Sequence, residues 1–338
     1  MRNRSIAVVV TALAAVSACS GSGGGKVAVK PAAVTTPSPT ASPTPTPPPL
    51  PDMLTGLAKA SGPVVAAKID NAPLARPFQK GLDRAAVVYQ ELVEGGLTRF
   101  LAVFEVDKAG TADVGPVRSA RESDVGVLRA YDAPPLGFSG ANAGVLAIFR
   151  SAQRAGYLKD GSYDDLTSAY RLGAHRKDAR NFFVDLGKLS SLNAHNTVKD
   201  VGFTFSALPP VGVATPKASA SFSPFTHVSL TYSPATKTWR VSQNGVAYAG
   251  VAPTNVVVQR VTIRGSRFKD VHGQPTPYTV TTGTGAVTVL RDGQRVTGTW
   301  KRVGYGATRF YDAKGKQIAL RPGPTWVLLL PTTGSLTF

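Results

Sequence analysis

Three arginines and a serine have side chains that could bind an anion. Arg118, Ser119 and Arg121 lie in the stretch VGPVRSAR, and Arg99 lies near the start of the strongly apolar segment Leu97–Val106. Guanidinium groups form paired hydrogen bonds with the oxygens of phosphate or carboxylate groups. The sequence therefore predicts that these four residues bind a phosphate- or pyrophosphate-bearing ligand.

A β-hairpin would bring these side chains together. Leu97–Val106 and Asp113–Val117 are typical of strands, and a glycine-containing turn separates them. If the two segments pair in antiparallel fashion, Arg99 lies opposite Ser119. A helix that begins near Glu122 would then add free backbone amides at its N-terminus.

Carboxylates near the arginines leave two interpretations open. Asp70, Glu91 and Glu94 are candidate acid or base residues for an enzyme. Alternatively, Glu91, Glu94 and Glu122 form internal ion pairs with the arginines and connect the hairpin to the helix. In the second case the arginines have a structural role and do not bind a ligand.

The start of the chain predicts export and lipid anchoring. Arg2 and Arg4 precede the apolar run Ile6–Val16, which is too short to cross a bilayer and is typical of a secretory signal. Small residues then lead to Cys19, the chain's single cysteine, as in a bacterial lipobox. We expect acylation of Cys19 and a lipid bilayer as the first partner.

Composition divides the rest of the chain. A Gly, Pro, Thr and Ser tract cannot bury a core and is typical of a tether, and a Pro/Ala/Ser/Val stretch is a candidate domain boundary. The expected divisions are a signal peptide at 1–18, lipidated cysteine and tether at 19–51, an N-terminal domain at 52–205, a linker at 206–221 and a C-terminal domain at 222–338.

The expected fold class is α+β, with an N-terminal α/β domain and a mainly β C-terminal domain. In the N-terminal domain we expect helices over Glu122–Ala130, Gly140–Gly156 and Asp185–Ser191, while Leu82–Glu94 fits a short helix or a strand. After residue 221, short alternating segments are separated by turns such as Asn244-Gly245, which is typical of β-hairpins.

Other catalytic or metal-binding patterns are absent from the sequence. The four histidines lack metal-binding spacing, and neither GxSxG nor HExxH occurs. No metal site is expected, and no cofactor is indicated. The formal net charge of +18 would attract nucleic acid, but an exported, anchored protein rarely meets any. Anionic wall polymers and lipid headgroups are the expected partners.

Several long motifs together resemble the YerB-type bacterial lipoproteins, which have two uncharacterised domains in tandem. These motifs include VAAKIDNAPLARPFQKGLDRAAVVYQELVEGGLTRFLAVFE, VGPVRSAR, NVVVQ, VTGTWKR and TRFYDAKGKQIALRPGPTWVLLLP. The resemblance implies an exported two-domain protein and assigns no reaction. Where the family pattern has a histidine before Asn181, this chain has Arg180, so a general-base histidine is not transferred to that position.

The arginine arrangement is also similar, more weakly, to the LytR-CpsA-Psr envelope family. Those proteins use arginines on adjacent strands to hold a polyprenyl pyrophosphate. Their pattern has an aspartate for Mg²⁺ directly after the first arginine, whereas Phe100 follows Arg99 here. Asp70 or Asp124 would have to supply a metal ligand instead.

These observations predict a lipoprotein on the outer face of the cytoplasmic membrane that binds an anionic envelope ligand. Two alternatives remain open. One is a scaffold that docks another envelope protein through its β domain, and the other is an enzyme acting on cell-wall glycan or lipid-linked intermediates.

Overall fold

The computed structural model describes residues 51–58, 62–111, 113–173, 181–270 and 273–338. The predicted signal peptide, Cys19 and nearly all of the tether lie outside these residues. Within the described ranges, no helix is long and apolar enough to cross a membrane.

The first half of the described chain alternates short strands with short helices. Its strands are β1 (Val64–Asp70), β2 (Val87–Leu92), β3 (Thr98–Glu105), β4 (Asp113–Val117), β5 (Pro135–Phe138), β6 (Lys159–Ser162), β7 (Tyr170–Leu172) and β8 (Phe182–Asp185). Its helices are α1 (Val106–Ala109), α2 (Glu122–Leu128), α3 (Ala143–Arg154) and α4 (Leu186–Ser190).

The second half is built from strands. They are β9 (Val213–Ala214), β10 (Lys217–Ser223), β11 (Thr226–Ser233), β12 (Thr238–Gln243), β13 (Val246–Ala247), β14 (Asn255–Val261), β15 (Ile263–Lys269), β16 (Pro275–Thr279), β17 (Gly283–Arg291), β18 (Gln294–Arg302), β19 (Arg309–Asp312), β20 (Thr325–Pro331) and β21 (Ser335–Thr337).

One large sheet contains strands from both halves. Its main path runs β19-β18-β17-β14-β20-β2-β3-β1-β4-β8-β7. The halves join where β20 pairs in parallel with β2, at Val88 and Trp326 among other positions. Every residue of β20 is buried, as expected for a strand covered on both faces.

The two faces of this sheet are covered by different layers. A five-stranded sheet, in the order β13-β12-β11-β10-β21, packs on one face, where Trp239 of β12 shares a core with Phe100 and Trp326. Helices α2 and α3 cover the other face, where Leu128 and Phe149 share a second core with Leu101. Polar side chains on the helix-covered face are therefore held between the sheet and α2.

The predicted hairpin between β3 and β4 is wrong. Strand β3 pairs with β1 and β2, and β1 lies between β3 and β4. Arg99 consequently lies opposite Asp70 of β1 and Glu91 of β2, not opposite Ser119. The local pattern identified both strands correctly, but β1 offers β3 a longer apolar partner than the five-residue β4 does.

The fold is mainly β, as predicted for the C-terminal part. The expected helices occur as α2, α3 and α4 within the predicted segments, but they are few and short, and an α/β N-terminal domain is not confirmed. The ambiguous segment Leu82–Glu94 forms a 3-10 turn at Leu82–Arg84 and then strand β2.

Candidate functional site

A row of alternating charges crosses three neighbouring strands on the helix-covered face. Asp70 of β1 lies opposite Arg99 of β3, which lies opposite Glu91 of β2. Directly opposite residues share one face of a sheet, so these three side chains are lateral neighbours. Lys68, two residues before Asp70, lies on the same face because side chains alternate along a strand.

Lys68 is the most deeply buried charge of this group. Its Nζ donates to the Glu91 carboxylate and, at 2.6 Å, to Asp124 Oδ1. Burial lowers the pKa of Lys68 to about 8, while Asp124 acts in the opposite direction. Ser123 Oγ also donates to Glu91 Oε2, at 2.7 Å. Lys68 is not among the residues predicted from the sequence, although a lysine inside the apolar strand VVAAKID was a usable signal.

Arg121 is held by the protein itself. Its guanidinium pairs with the Glu94 carboxylate, and its Nη1 donates to the carbonyls of Ser119 and Ala120 at 3.1 and 2.8 Å. Burial raises the pKa of Glu94, but the nearby Arg121 more than offsets that effect, so the pKa lies below its usual value. Glu94 therefore stays ionised at neutral pH.

Two arginines of the cluster form an ion pair, and Arg118 is the more exposed of the two. Its Nε donates to Asp70 Oδ2 at 3.0 Å, and its side chain is 22% exposed. Among the described residues, its terminal nitrogens Nη1 and Nη2 form no side-chain hydrogen bond. This edge of the guanidinium is available to an added acceptor.

Arg99 differs from its two neighbours because it forms no ion pair with any described residue. Its Nη1 donates at 3.0 Å to the carbonyl of Ser119, which also accepts from Arg121. Burial and the neighbouring Arg121 lower the pKa of Arg99 to about 9, with Asp70 and Glu94 opposing. A pKa of that size leaves Arg99 charged at neutral pH.

The predicted residues thus meet at one place, though by a different route from the predicted hairpin. Ser119 follows β4 on the far side of β1 and contributes its backbone carbonyl to Arg99 and Arg121. Of the three glutamates proposed as internal partners, Glu94 pairs with Arg121, whereas Glu91 pairs with Lys68. Glu122 accepts from Ser266 Oγ at 2.7 Å.

The backbone amides near the start of α2 are partly used within the protein. The Ala120 N–H donates to the Gly140 carbonyl at 3.1 Å, and the Arg121 N–H donates to Asp124 Oδ2 at 2.7 Å. These two of the predicted free amides are therefore not available to a ligand.

No group of three or more metal-ligating side chains occurs among the described residues. Asp124, considered from the sequence as a magnesium ligand, binds Lys68 and the Arg121 amide instead. Arg180, where the chain departs from the family pattern, lies in 174–180, outside the described residues.

Two clefts open elsewhere, where β17 begins and β18 ends. The larger, of about 580 Å³, is lined by Thr282–Thr284 and by Lys301–Tyr305. The smaller, of about 240 Å³, shares Thr282 and Thr284 and includes Arg260. Strands β14, β20 and β2 run parallel and β17 runs against them, so β17 begins at the end of the sheet where β2 ends. These clefts therefore lie at the same end of the sheet as the arginine cluster.

Two family models match most of the chain. Residues 54–199 match the "Protein of unknown function (DUF3048) N-terminal domain", and residues 218–327 match the corresponding C-terminal domain.

Two individual proteins are also similar to this chain. "Putative lipoprotein YerB" of Bacillus subtilis (strain 168) is 48% identical over 68 residues, which are 20% of each chain. The matched segment therefore spans about a fifth of that relative's length. The crystal structure of YerB protein from Bacillus subtilis superposes with a TM-score of 0.69 and 22% identity, over 86% of this chain and 100% of the other. This likeness shows a shared fold. The weaker similarity to LytR-CpsA-Psr proteins is not shown by these matches.

Proposed function

The chain belongs to the DUF3048 family, and from that premise we propose that it is an envelope lipoprotein that binds a phosphate-bearing anion at Arg99, Arg118 and Arg121. Its similarity to the YerB lipoprotein supports lipid anchoring in the cell envelope. In this proposal Cys19 carries the acyl chains, and the outer face of the cytoplasmic membrane is the location of the folded part.

The observation that carries the proposal is that Arg99 forms no ion pair with any described residue. Asp70 pairs with Arg118 and Glu94 pairs with Arg121, so each carboxylate beside Arg99 already has a partner. Arg121 and Arg118 repel the charge of Arg99, whereas Asp70 and Glu94 attract it. A bound anion would relieve this repulsion, and an anion is the ligand type that such a cluster favours.

The open donors indicate which anion fits. The terminal nitrogens of Arg118 and the remaining N–H groups of Arg99 can each take oxygens in pairs. A phosphate or pyrophosphate group offers several oxygens and more than one negative charge. Arg121 already binds Glu94 and two backbone carbonyls. Its contribution is therefore to fix the position of Ser119 and to add positive charge near the ligand.

Calorimetric titration with inorganic pyrophosphate tests the proposal. The protein used is 48–338, which forms one compact unit. We expect binding that weakens as salt concentration rises, and Arg99→Gln or Arg118→Gln should each weaken it by about tenfold or more, as a charge-assisted hydrogen bond implies. Arg240→Gln is the matched control, because Arg240 is exposed on β12 in the other sheet.

Two results would contradict the proposal. One is equal affinity of the wild type and the Arg99→Gln variant, and the other is the same loss of affinity in Arg240→Gln. Thermal unfolding of each variant is recorded alongside. If Arg99→Gln and Arg118→Gln both unfold, the arginines have the structural role that the sequence left open.

The other two functions remain hypotheses. An enzyme using Glu94 as a general acid would need a raised pKa, whereas the pKa of Glu94 is lowered. A scaffold function predicts capture of a protein partner that survives loss of the arginines, so the Arg99→Gln variant separates that function from anion binding.

A further inference from the structure

Large apolar side chains are exposed at three turns on one end of the molecule. Leu74 follows β1 and is 73% exposed, Phe225 lies between β10 and β11 and is 65% exposed, and Val246 at the start of β13 is 57% exposed. We call these three residues the turn tips. They lie at the same end because β1 ends, β3 begins, β11 begins and β12 ends there.

Direct contacts connect the three turns with one another. Arg76, two residues after Leu74, donates from Nη1 to the Gln243 carbonyl at 2.8 Å. Asn244 Nδ2 donates to the Phe225 carbonyl at 2.9 Å. The turn tips are therefore parts of one continuous surface and not separate exposed residues.

The same contacts continue to the arginine cluster. Ser223 and Thr226, which flank the turn of Phe225, both donate hydroxyl groups to the Gly96 carbonyl, at 2.6 and 2.8 Å. Gly96 lies two residues after Glu94, the partner of Arg121. On the other side, Asp70 holds Arg118 and accepts from the Ala72 amide at 3.1 Å.

Positive charge surrounds this surface. Arg76 adds a fourth guanidinium to those of the arginine cluster, where Asp70 and Glu94 are paired with Arg118 and Arg121 and Glu91 is paired with Lys68. The β15–β16 hairpin contributes exposed cations beside α2, to which Ser266 of β15 is joined through Glu122. These cations are Arg264, Arg267 and Lys269.

We propose that this end of the molecule docks on a bilayer containing anionic phospholipids, with the turn tips in the headgroup region and lipid phosphates at Arg99 and Arg118. This inference rests on the proposed anion site and names the source of its phosphate. Exposed apolar tips inside a cationic surface match the two components of peripheral membrane binding, apolar burial and attraction to acidic lipids. The predicted anchor at Cys19, about thirty residues before the described chain, makes a bilayer the surface within reach.

Vesicle sedimentation with 48–338, which lacks Cys19, tests docking without any acyl chain. One set of vesicles contains phosphatidylglycerol and phosphatidylcholine in equal parts, and the other contains phosphatidylcholine alone. We expect binding to the anionic vesicles only, and the combined Leu74→Ser, Phe225→Ser and Val246→Ser variant should lower the partition coefficient about tenfold or more.

The opposite end of the sheet provides a matched control. Leu208 and Val211 are 76% and fully exposed, and Leu208 accepts from Arg291 at the end of β17. The Leu208→Ser and Val211→Ser variant should bind vesicles as the wild type does. Equal losses in both variants, or no binding to anionic vesicles, would overturn the docking proposal.

Pyrophosphate titration of the turn-tip variant separates this inference from the proposed function. If the variant binds pyrophosphate normally but loses the vesicles, both proposals hold. If the wild type binds pyrophosphate and not vesicles, only membrane docking is overturned. If the wild type binds vesicles and not pyrophosphate, the discrete anion site fails, and with it the assignment of lipid phosphates to Arg99 and Arg118.

Discussion

The effect of a buried charged residue on the stability of this protein depends on its ion-pair partners. Lys68 is fully buried between Glu91 and Asp124. Removing one member of a buried ion pair lowers the free energy of unfolding, because the remaining charge stays buried without a partner. The arginine cluster lies beside this group and is more exposed, with Arg121 8% and the Arg118 side chain 22% exposed. The Lys68 group therefore contributes chiefly to the stability of the fold, and the proposed ligand would bind at the arginines.

Replacement of Lys68 by methionine should destabilise the fold strongly. It leaves Glu91 and Asp124 buried without a counter-charge, and the free energy of unfolding should fall by about 3–5 kcal/mol. Denaturant unfolding measures the change. Lys217→Met, at an exposed position of β10, should change stability by less than about 0.5 kcal/mol. Similar effects of the two substitutions would show that Lys68 has no special structural role.

A second buried cluster should make stability depend on pH. Glu105 and Asp52 share the single cation Lys108, and burial together with Asp52 raises the pKa of Glu105 to about 8. Between the ordinary pKa of about 4.5 and 8, the folded state holds a proton that the unfolded state releases. This group's contribution to stability therefore falls as pH rises through that window.

Glu105→Gln tests this dependence, because glutamine mimics the protonated acid and does not titrate. Relative to the wild type, the variant should be more stable at pH 8 than at pH 5, by a difference on the order of 2 kcal/mol. Urea unfolding at both pH values gives the comparison. A difference that is independent of pH would mean that Glu105 titrates normally in the folded protein.

At the scale of elements, polar side chains join the two sheets. Gln243 Oε1 at the end of β12 accepts from Asn71 Nδ2 at 2.9 Å, Gln90 Nε2 at 2.8 Å and Tyr248 Oη at 2.9 Å. Gln90 lies in β2 of the large sheet, and Asn71 directly follows β1. Gln243 lies in the five-stranded sheet, and Tyr248 directly follows β13 of that sheet. A buried network of this kind fixes how the two layers align.

Gln243→Leu should weaken the contact between the sheets. It removes the acceptor of four buried donors, since Thr98 Oγ1 also donates to Gln243 Oε1 at 3.2 Å, and we expect a loss of about 2–4 kcal/mol in the free energy of unfolding. Ser242→Ala, at the neighbouring position on β12 facing away from this network, serves as the control in chemical denaturation. A Gln243→Leu protein as stable as wild type would argue that these hydrogen bonds contribute little.

Element type was largely predictable from local pattern. The turns Asn244-Gly245 and Asp292-Gly293 have positive φ at both residues, 49° and 80° in one and 51° and 70° in the other, as two-residue hairpins require. The pairing of β3 could not be predicted in the same way, because its strand partners are chosen by contacts distant in sequence.

At the scale of the whole molecule, the two family-model segments share one large sheet. Strand β20 begins within the second segment and lies between β14 and β2, paired in parallel with both. The two-domain division at 206–221 stays a prediction based on composition. Because β2 and β20 are buried together, we expect the segments to unfold as one cooperative unit.

Calorimetry of 48–338 tests this expectation. A single transition should appear, with equal calorimetric and van't Hoff enthalpies, and Trp326→Ala in β20 should lower the transition temperature of the whole unit. Trp326 is buried against Phe100 of β3, with ring centroids 5.0 Å apart. Two separate transitions, with Trp326→Ala shifting only one, would instead support two independent domains.

The sequence by itself determined the local features of this protein. Hydrophobic alternation and turn residues follow from neighbouring residues, as do the predicted lipobox and the types of residue in the proposed anion site. Only the tertiary structure decided that β1 separates β3 from β4, that Lys68 lies between two carboxylates, and that Arg99 forms no ion pair with the residues described. The physical reason is that pairing and charge compensation depend on burial between segments far apart in the chain, for which no local pattern is sufficient.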